Sequence, residues 1–169
     1  MNAPAKLGTA PVVVSSDDVT ILWAVEAELH GDLKPIPDED ETQGQRPYLW
    51  TEGWKSLDDY HSWEVQVDET QEFLVSMTYS CIGDSGGSEL EIAAGESRAD
   101  CTVRPTIPWV PEWGVEYSSF TKHGFDSRLR LSAGPNTIQL RARTKPGAEV
   151  LRLYTLELTP ATAVDRLAA

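Results

Sequence analysis

Residues 62–81 read SWEVQVDETQEFLVSMTYSC, and the alternation in this stretch decides the fold. Trp63, Val65 and Val67 fall on one side of an extended chain, with Glu64 and Gln66 on the other. After the turn at 68–70, Phe73, Val75, Met77, Tyr79 and Cys81 alternate with Ser76, Thr78 and Ser80. A period of two with one apolar face marks half-buried strands of an antiparallel sheet. Trp63, inward in such a strand, is a core residue.

The same reading extends outward along the chain. SELEIA (88–93) turns Leu90 and Ile92 inward and Glu89 and Glu91 outward. Further strands are expected over Thr20–Leu29, Ser127–Ser132, Thr137–Thr144 and Val150–Thr159, with Val12–Ser15 as a possible edge. Gly, Pro and Asp clusters punctuate them: IGDSGG (82–87), AGES (94–97), AGPN (133–136) and KPGAE (145–149). Beyond one turn near 56–61, no 3.6-residue period stands out. About eight or nine strands joined by short turns predict an all-β, two-sheet antiparallel β-sandwich of jelly-roll type over residues 19–160. Residues 1–18 form an N-terminal extension or edge strand, and 161–169 a frayed C-terminal tail.

Three features of composition narrow the function. The 169 residues carry 14 Lys and Arg against 27 Asp and Glu, a formal charge of −13. That balance disfavours duplex nucleic acid and anionic membranes as partners, since both are bound through basic side chains. No apolar run is long enough to span a bilayer, and the opening MNAPAKLGTAPVVV lacks the apolar core of a signal peptide. The charge is also divided: residues 1–121 hold 23 acids and 6 bases, whereas 122–169 hold 4 acids and 8 bases.

Motifs for catalysis are lacking. His30, His61 and His123 are scattered, without HExxH or GxSxG, and the protein is read as a non-enzyme. The DEDE run at 38–41 is a solvated loop rather than a calcium loop. Cys81 and Cys101 are either two buried free thiols or a single bridge between neighbouring strands.

Two irregular stretches, 31–54 and 105–120, carry four of the six Trp. Trp54, Trp109 and Trp113 each sit beside Pro or Gly, where a flat indole suits the apolar face of a pyranose ring. Glu112 and Tyr117 would bind the hydroxyls, and Tyr60 would flank the platform. The alternative is that these rings lid the ends of the sandwich. If 127–144 is a hairpin turning at Pro135–Asn136, Arg130 opposes Arg141 and Arg128 opposes Arg143. Four guanidiniums on one face need compensation, from the acidic strands, a partner domain or an anionic glycan.

The order of these pieces resembles the carbohydrate-binding β-sandwich modules of the family 6 and 35 type. VEAELHG (25–31) is similar to their opening strand and GWKSLDDYHSWEVQV (53–67) to the segment that follows. LRLSAGPNTIQLRA (129–142) is similar to their paired strands and LRLYTLELTP (151–160) to the closing strand. The YSC, GGSELEI and VRPTIPW spacing further resembles the sandwich domain appended to some α-L-fucosidases. The resemblance implies a lectin-like accessory module, without catalysis, that targets an enzyme or assembly to a glycan in an extracellular or periplasmic setting. It also implies a structural calcium on Glu26 and Glu28, although the third, closing-strand carboxylate of the family falls near Tyr154 here. The competing reading is an assembly protein whose Trp-rich loops and Arg face are protein interfaces, with self-association or a catalytic domain as partner.

Overall fold

A computed structural model of the chain describes residues 10–36, 49–109 and 117–168. Two six-stranded sheets face each other. The first comprises β1 (Val12–Val14), β3 (Glu28–His30), β6 (Tyr60–Val67), β8 (Glu89–Ala94), β9 (Ser97–Thr102) and β13 (Gly134–Ala142). It runs in the order β1-β6-β13-β8-β9, and β3 extends the β1 edge along β6. The second comprises β2 (Thr20–Trp23), β4 (Lys34–Ile36), β5 (Trp50–Glu52), β7 (Gln71–Ser80), β12 (Thr121–Leu131) and β14 (Arg152–Pro160). Its order is β12-β7-β14-β5-β4, with β2 sharing the β5 side of β14. A short ribbon joins β10 (Pro108–Trp109) to β11 (Tyr117–Ser118). All pairings are antiparallel except β1 with β6.

The inward residues of 62–81 make the core as the alternation predicts. Trp63, Val65 and Val67 pack with Phe73, Val75, Met77 and Tyr79, and with Leu90, Ile92, Ile138, Leu140, Leu156 and Leu158. The count of twelve strands in the two sheets exceeds the eight or nine expected because β1, β3, β4 and β5 are three residues each, too short for alternation to register.

Three local expectations are corrected. The opening strand is broken: a 3₁₀ turn at Ala24–Glu26 separates β2 in the second sheet from β3 in the first. Ala24 is buried there, and Trp63 Nε1 donates to the Trp23 carbonyl at 2.9 Å, which fixes the crossing. The 127–144 hairpin does not exist, because β12 pairs with β7 while β13 pairs with β6 and β8. Leu129 and Leu131 fill one sheet and Ile138 and Leu140 the other, so the chain changes sheets at 132–134. The C-terminal tail is a helix, α1 (Ala161–Ala168), packed on β7 and β14 with Ala161 buried. Of the two alternatives for Cys81 and Cys101, the structure has the buried free thiols. Cys81 follows β7 in the second sheet, with Sγ directed at the Val150 carbonyl, whereas Cys101 lies on β9 opposite Leu90 in the first.

Candidate functional site

The outward face of the second sheet carries a row of four aromatic rings. Its register explains the row. Thr51 pairs with Leu153 and turns inward, so Trp50 and Glu52 face out. Leu153 pairs with Tyr79 but Thr155 pairs with Thr78, so Tyr154 is the extra residue of a β-bulge. Trp23 pairs with Thr155 at the adjoining end of β2, and Phe120 precedes β12.

Trp23 meets Tyr154 edge to face, with centroids 5.2 Å apart and planes at 87°. Tyr154 meets Phe120 at 6.0 Å and 64°, and Phe120 meets Trp50 at 5.4 Å and 53°. Trp23, Trp50 and Tyr154 are half-buried and Phe120 is 38% exposed. The four rings therefore form one contiguous aromatic row that is partly open to solvent.

Polar groups border the strip. Trp50 Nε1 donates to Glu52 Oε1 at 2.8 Å, and Arg152 bridges Glu52 at 3.5 Å and the buried Glu149 at 3.3 Å. Farther along the face, Lys122 pairs with Glu157 at 3.1 Å, and Ser76 Oγ donates to Glu157 Oε2. Ring faces take the C–H bonds of apolar ligand surfaces, and the carboxylates accept hydroxyl protons. The ion pairs hold Glu52 and Glu157 in fixed positions beside the rings.

Of the residues singled out in the sequence, the structure removes two from any stacking platform. Trp54 is fully enclosed: its Nε1 donates to the Asp59 carbonyl at 3.1 Å and its ring packs edge-on against His61. Tyr60 is covered on both ring faces, by His30 stacked at 3.9 Å from β3 and by the Arg141 guanidinium 3.5 Å above the centroid from β13. Trp109 and Tyr117 are backbone partners in the β10–β11 ribbon. Their side chains, with Glu112 and Trp113, lie outside the described residues.

The four-arginine face is likewise dissolved. Arg128 pairs with Asp165 of α1 at 3.4 Å, Arg130 faces Glu72 in register, and Arg143 pairs with Glu91 and Asp100. Arg141 lies on the other sheet from Arg128 and Arg130.

Buried polar groups prove to be structural. Asp59 accepts three backbone N–H groups, from Asp32 at 2.9 Å, Ser56 at 3.1 Å and Lys55 at 3.3 Å, which closes the corner before β6. His61 sits between Trp54 and Trp63 with Nε2 2.8 Å from Thr51 Oγ1. Desolvation first, and His30 second, push its pKa down to about 3. Burial raises the thiols of Cys81 to about 11 and Cys101 to about 12.

The residues present do not fit a calcium cage. Glu26 lies in the 3₁₀ turn and Glu28 on β3, while Tyr154 turns its ring toward Trp23. Among the described residues no three His, Cys, Asp or Glu side chains are grouped to hold a metal ion.

Sequence reasoning missed the aromatic row because Trp23 and Tyr154 were read as strand positions without a face. One signal was available: Leu151, Leu153, Leu156 and Leu158 are all buried, and the step of three between Leu153 and Leu156 marks the bulge that exposes Tyr154.

No family model and no curated protein matches the sequence. Solved structures do match in fold. A family 35 carbohydrate-binding module from Cellvibrio japonicus aligns with TM-score 0.60 and 12% identity, over 83% of this chain and 92% of the module. One from Clostridium thermocellum aligns with TM-score 0.58 and 16% identity, over 83% of this chain and 98% of the module. The mosquito-larvicidal Cry4Aa toxin from Bacillus thuringiensis aligns with TM-score 0.66 and 11% identity, over 89% of this chain but 25% of the toxin. The chain therefore has the β-sandwich fold of family 35 modules, and spans nearly all of an isolated module but about a quarter of the toxin. Fold likeness of this kind is shared by proteins with different tasks.

Proposed function

We propose that this protein is a non-catalytic carbohydrate-binding module, which keeps a partner enzyme or assembly close to a glycan in an extracellular or periplasmic setting. The observation that carries the reading is the row Trp23–Tyr154–Phe120–Trp50, partly open to solvent and bordered by Glu52, Arg152, Lys122 and Glu157. Aromatic faces beside oriented carboxylates are what a sugar ring requires: one surface for its C–H bonds and acceptors for its hydroxyls. The fold shared with proteins named as carbohydrate-binding modules supports the same reading. Affinity from one such strip is modest, so tethering to a second domain would raise effective concentration.

Affinity electrophoresis through a panel of neutral and anionic polysaccharides tests it. The expected result is retardation by at least one glycan, abolished in the double variant Trp50→Ala/Tyr154→Ala while the melting midpoint moves by only a few degrees. No retardation of the wild-type protein on any glycan overturns the reading.

A second reading has one observation in its favour. Ile21 is 41% exposed on the same sheet as Phe120 at 38%, an apolar rim that a protein surface would cover. Sedimentation showing self-association that Ile21→Asp abolishes would favour an assembly role instead.

A further inference from the structure

The outward face of the first sheet presents a different chemistry from the aromatic row, and its argument does not depend on that row. His30, Tyr60, Arg141 and Glu91 are successive register partners across β3, β6, β13 and β8. Tyr60 is clamped between the His30 ring, parallel within 6°, and the Arg141 guanidinium. His30 Nε2 lies 3.0 Å from Ser62 Oγ, and Arg141 Nε donates to Gln139 Oε1 at 3.2 Å. Both outer members of the clamp are thus held in one orientation.

Charge on this face is unevenly matched. Glu91, the register partner of Arg141, is taken by Arg98 and Arg143. Three cations among the described residues are half-buried: Arg141, Lys145 and Arg152. Arg152 has two carboxylates and Lys145 donates to the Gly147 carbonyl, whereas Arg141 makes no ion pair with a described residue. A partly desolvated guanidinium stacked on a phenol retains attraction from the ring, but its terminal N–H groups remain to be satisfied. Stacking fixes the fork in advance, so little order is lost when it engages an oxyanion in bidentate fashion.

We infer that Arg141, framed by Tyr60 and His30, is the seat for one oxyanion group, a carboxylate or a sulfate ester, on an otherwise uncharged ligand. The surroundings set the limit of one charge. Glu28, Glu64, Glu89, Glu91 and Asp100 all face the same side by register, and they repel a dense polyanion. The ligand fitted to this face carries isolated anionic groups spaced along a neutral body.

Chemical-shift mapping on the full chain tests the seat. The probes are sodium glucuronate, glucose 6-sulfate and uncharged glucose, titrated separately. The expected result is that one or both anions shift the His30, Tyr60 and Arg141 Nε–H signals while glucose leaves them in place. The arm that binds tighter tells a planar from a tetrahedral oxyanion. R141Q should weaken that binding at least about tenfold, and R128Q, on the other sheet where its parent side chain pairs with Asp165, should leave it intact. Absence of shifts at these three residues with both anions overturns the proposal, as does affinity unchanged in R141Q. The wild-type mapping decides even if R141Q fails to fold. Loss of glycan retardation by the aromatic row would leave these shifts unaltered, so the two failures are distinguishable.

Discussion

His61 is enclosed between two tryptophan rings, and its Nδ1 has no hydrogen-bond partner among the described residues. Its pKa of about 3 in the fold lies below the ordinary histidine value of 6.5, so the unfolded chain binds the extra proton first as pH falls. Stability from keeping His61 neutral is complete above about pH 6.5 and declines as pH drops toward 3. The loss at pH 5 is roughly 2 kcal/mol. In His61→Asn, melting midpoints measured from pH 7 to pH 4 should fall less steeply than in the wild type, even if the variant starts lower. The cysteines yield a second expectation at this scale. Raised thiol pKa values of about 11 and 12 mean few thiolates at neutral pH. A thiol reagent should label neither residue in the native protein and both after unfolding without reductant.

At the scale of elements, the corner between β3 and β4 is fixed by Asp59 and by one glycine. Gly31 has φ of +85°, and a Cβ there would lie 1.8 Å from Asp59 Oδ1. Gly31→Ala should therefore strain the backbone and displace a carboxylate that caps three N–H groups, lowering stability by about 2 kcal/mol or more. Urea denaturation would measure it, and an unchanged midpoint would mean the corner relaxes freely. How far the elements were legible follows from their length. β6 and β7 span 8 and 10 residues with uninterrupted alternation, and the sequence pattern locates both. β3 and β5, at three residues each, offer too few positions for a period. The false hairpin at 127–144 has a different origin: alternation states which side chains turn inward but not which sheet a strand joins, and Gly134 with φ of +103° suits a crossing as well as a turn. Trp54 was misread for a related reason, since its irregular backbone hides a side chain pinned by Asp59. The bulged Tyr154 faces out because the extra residue resets the alternation of β14.

For the whole molecule, ion pairs tie part of the basic last third to the acidic first part, through Glu52, Glu91 and Asp100, and the rest to acids of the last third itself. Arg128, Arg143, Arg152 and Lys122, all from the last third, pair with Asp165, Glu91, Asp100, Glu52, Glu149 and Glu157. Each exposed pair contributes little alone, and among the described arginines that make no ion pair Arg141 is the half-buried one. Among the described residues no third carboxylate is grouped with Glu26 and Glu28, so a chelator is expected to leave the melting midpoint in place. A downward shift of several degrees would reveal ligands supplied from elsewhere in the chain.

The position of β14 at the centre of the second sheet has a consequence for synthesis. It is made after every strand it joins, with β7 on one of its edges and β2 and β5 on the other. Until residue 160 emerges, strands made more than a hundred residues earlier have no neighbour on that side, and Leu22, Phe73 and Met77 have no complete layer to enter. The second sheet therefore cannot be completed before residue 160 is made, and until then the nascent chain carries open strand edges. Chains stalled before Arg152 should be protease-sensitive and bound by chaperones, and those extended past Pro160 should become resistant.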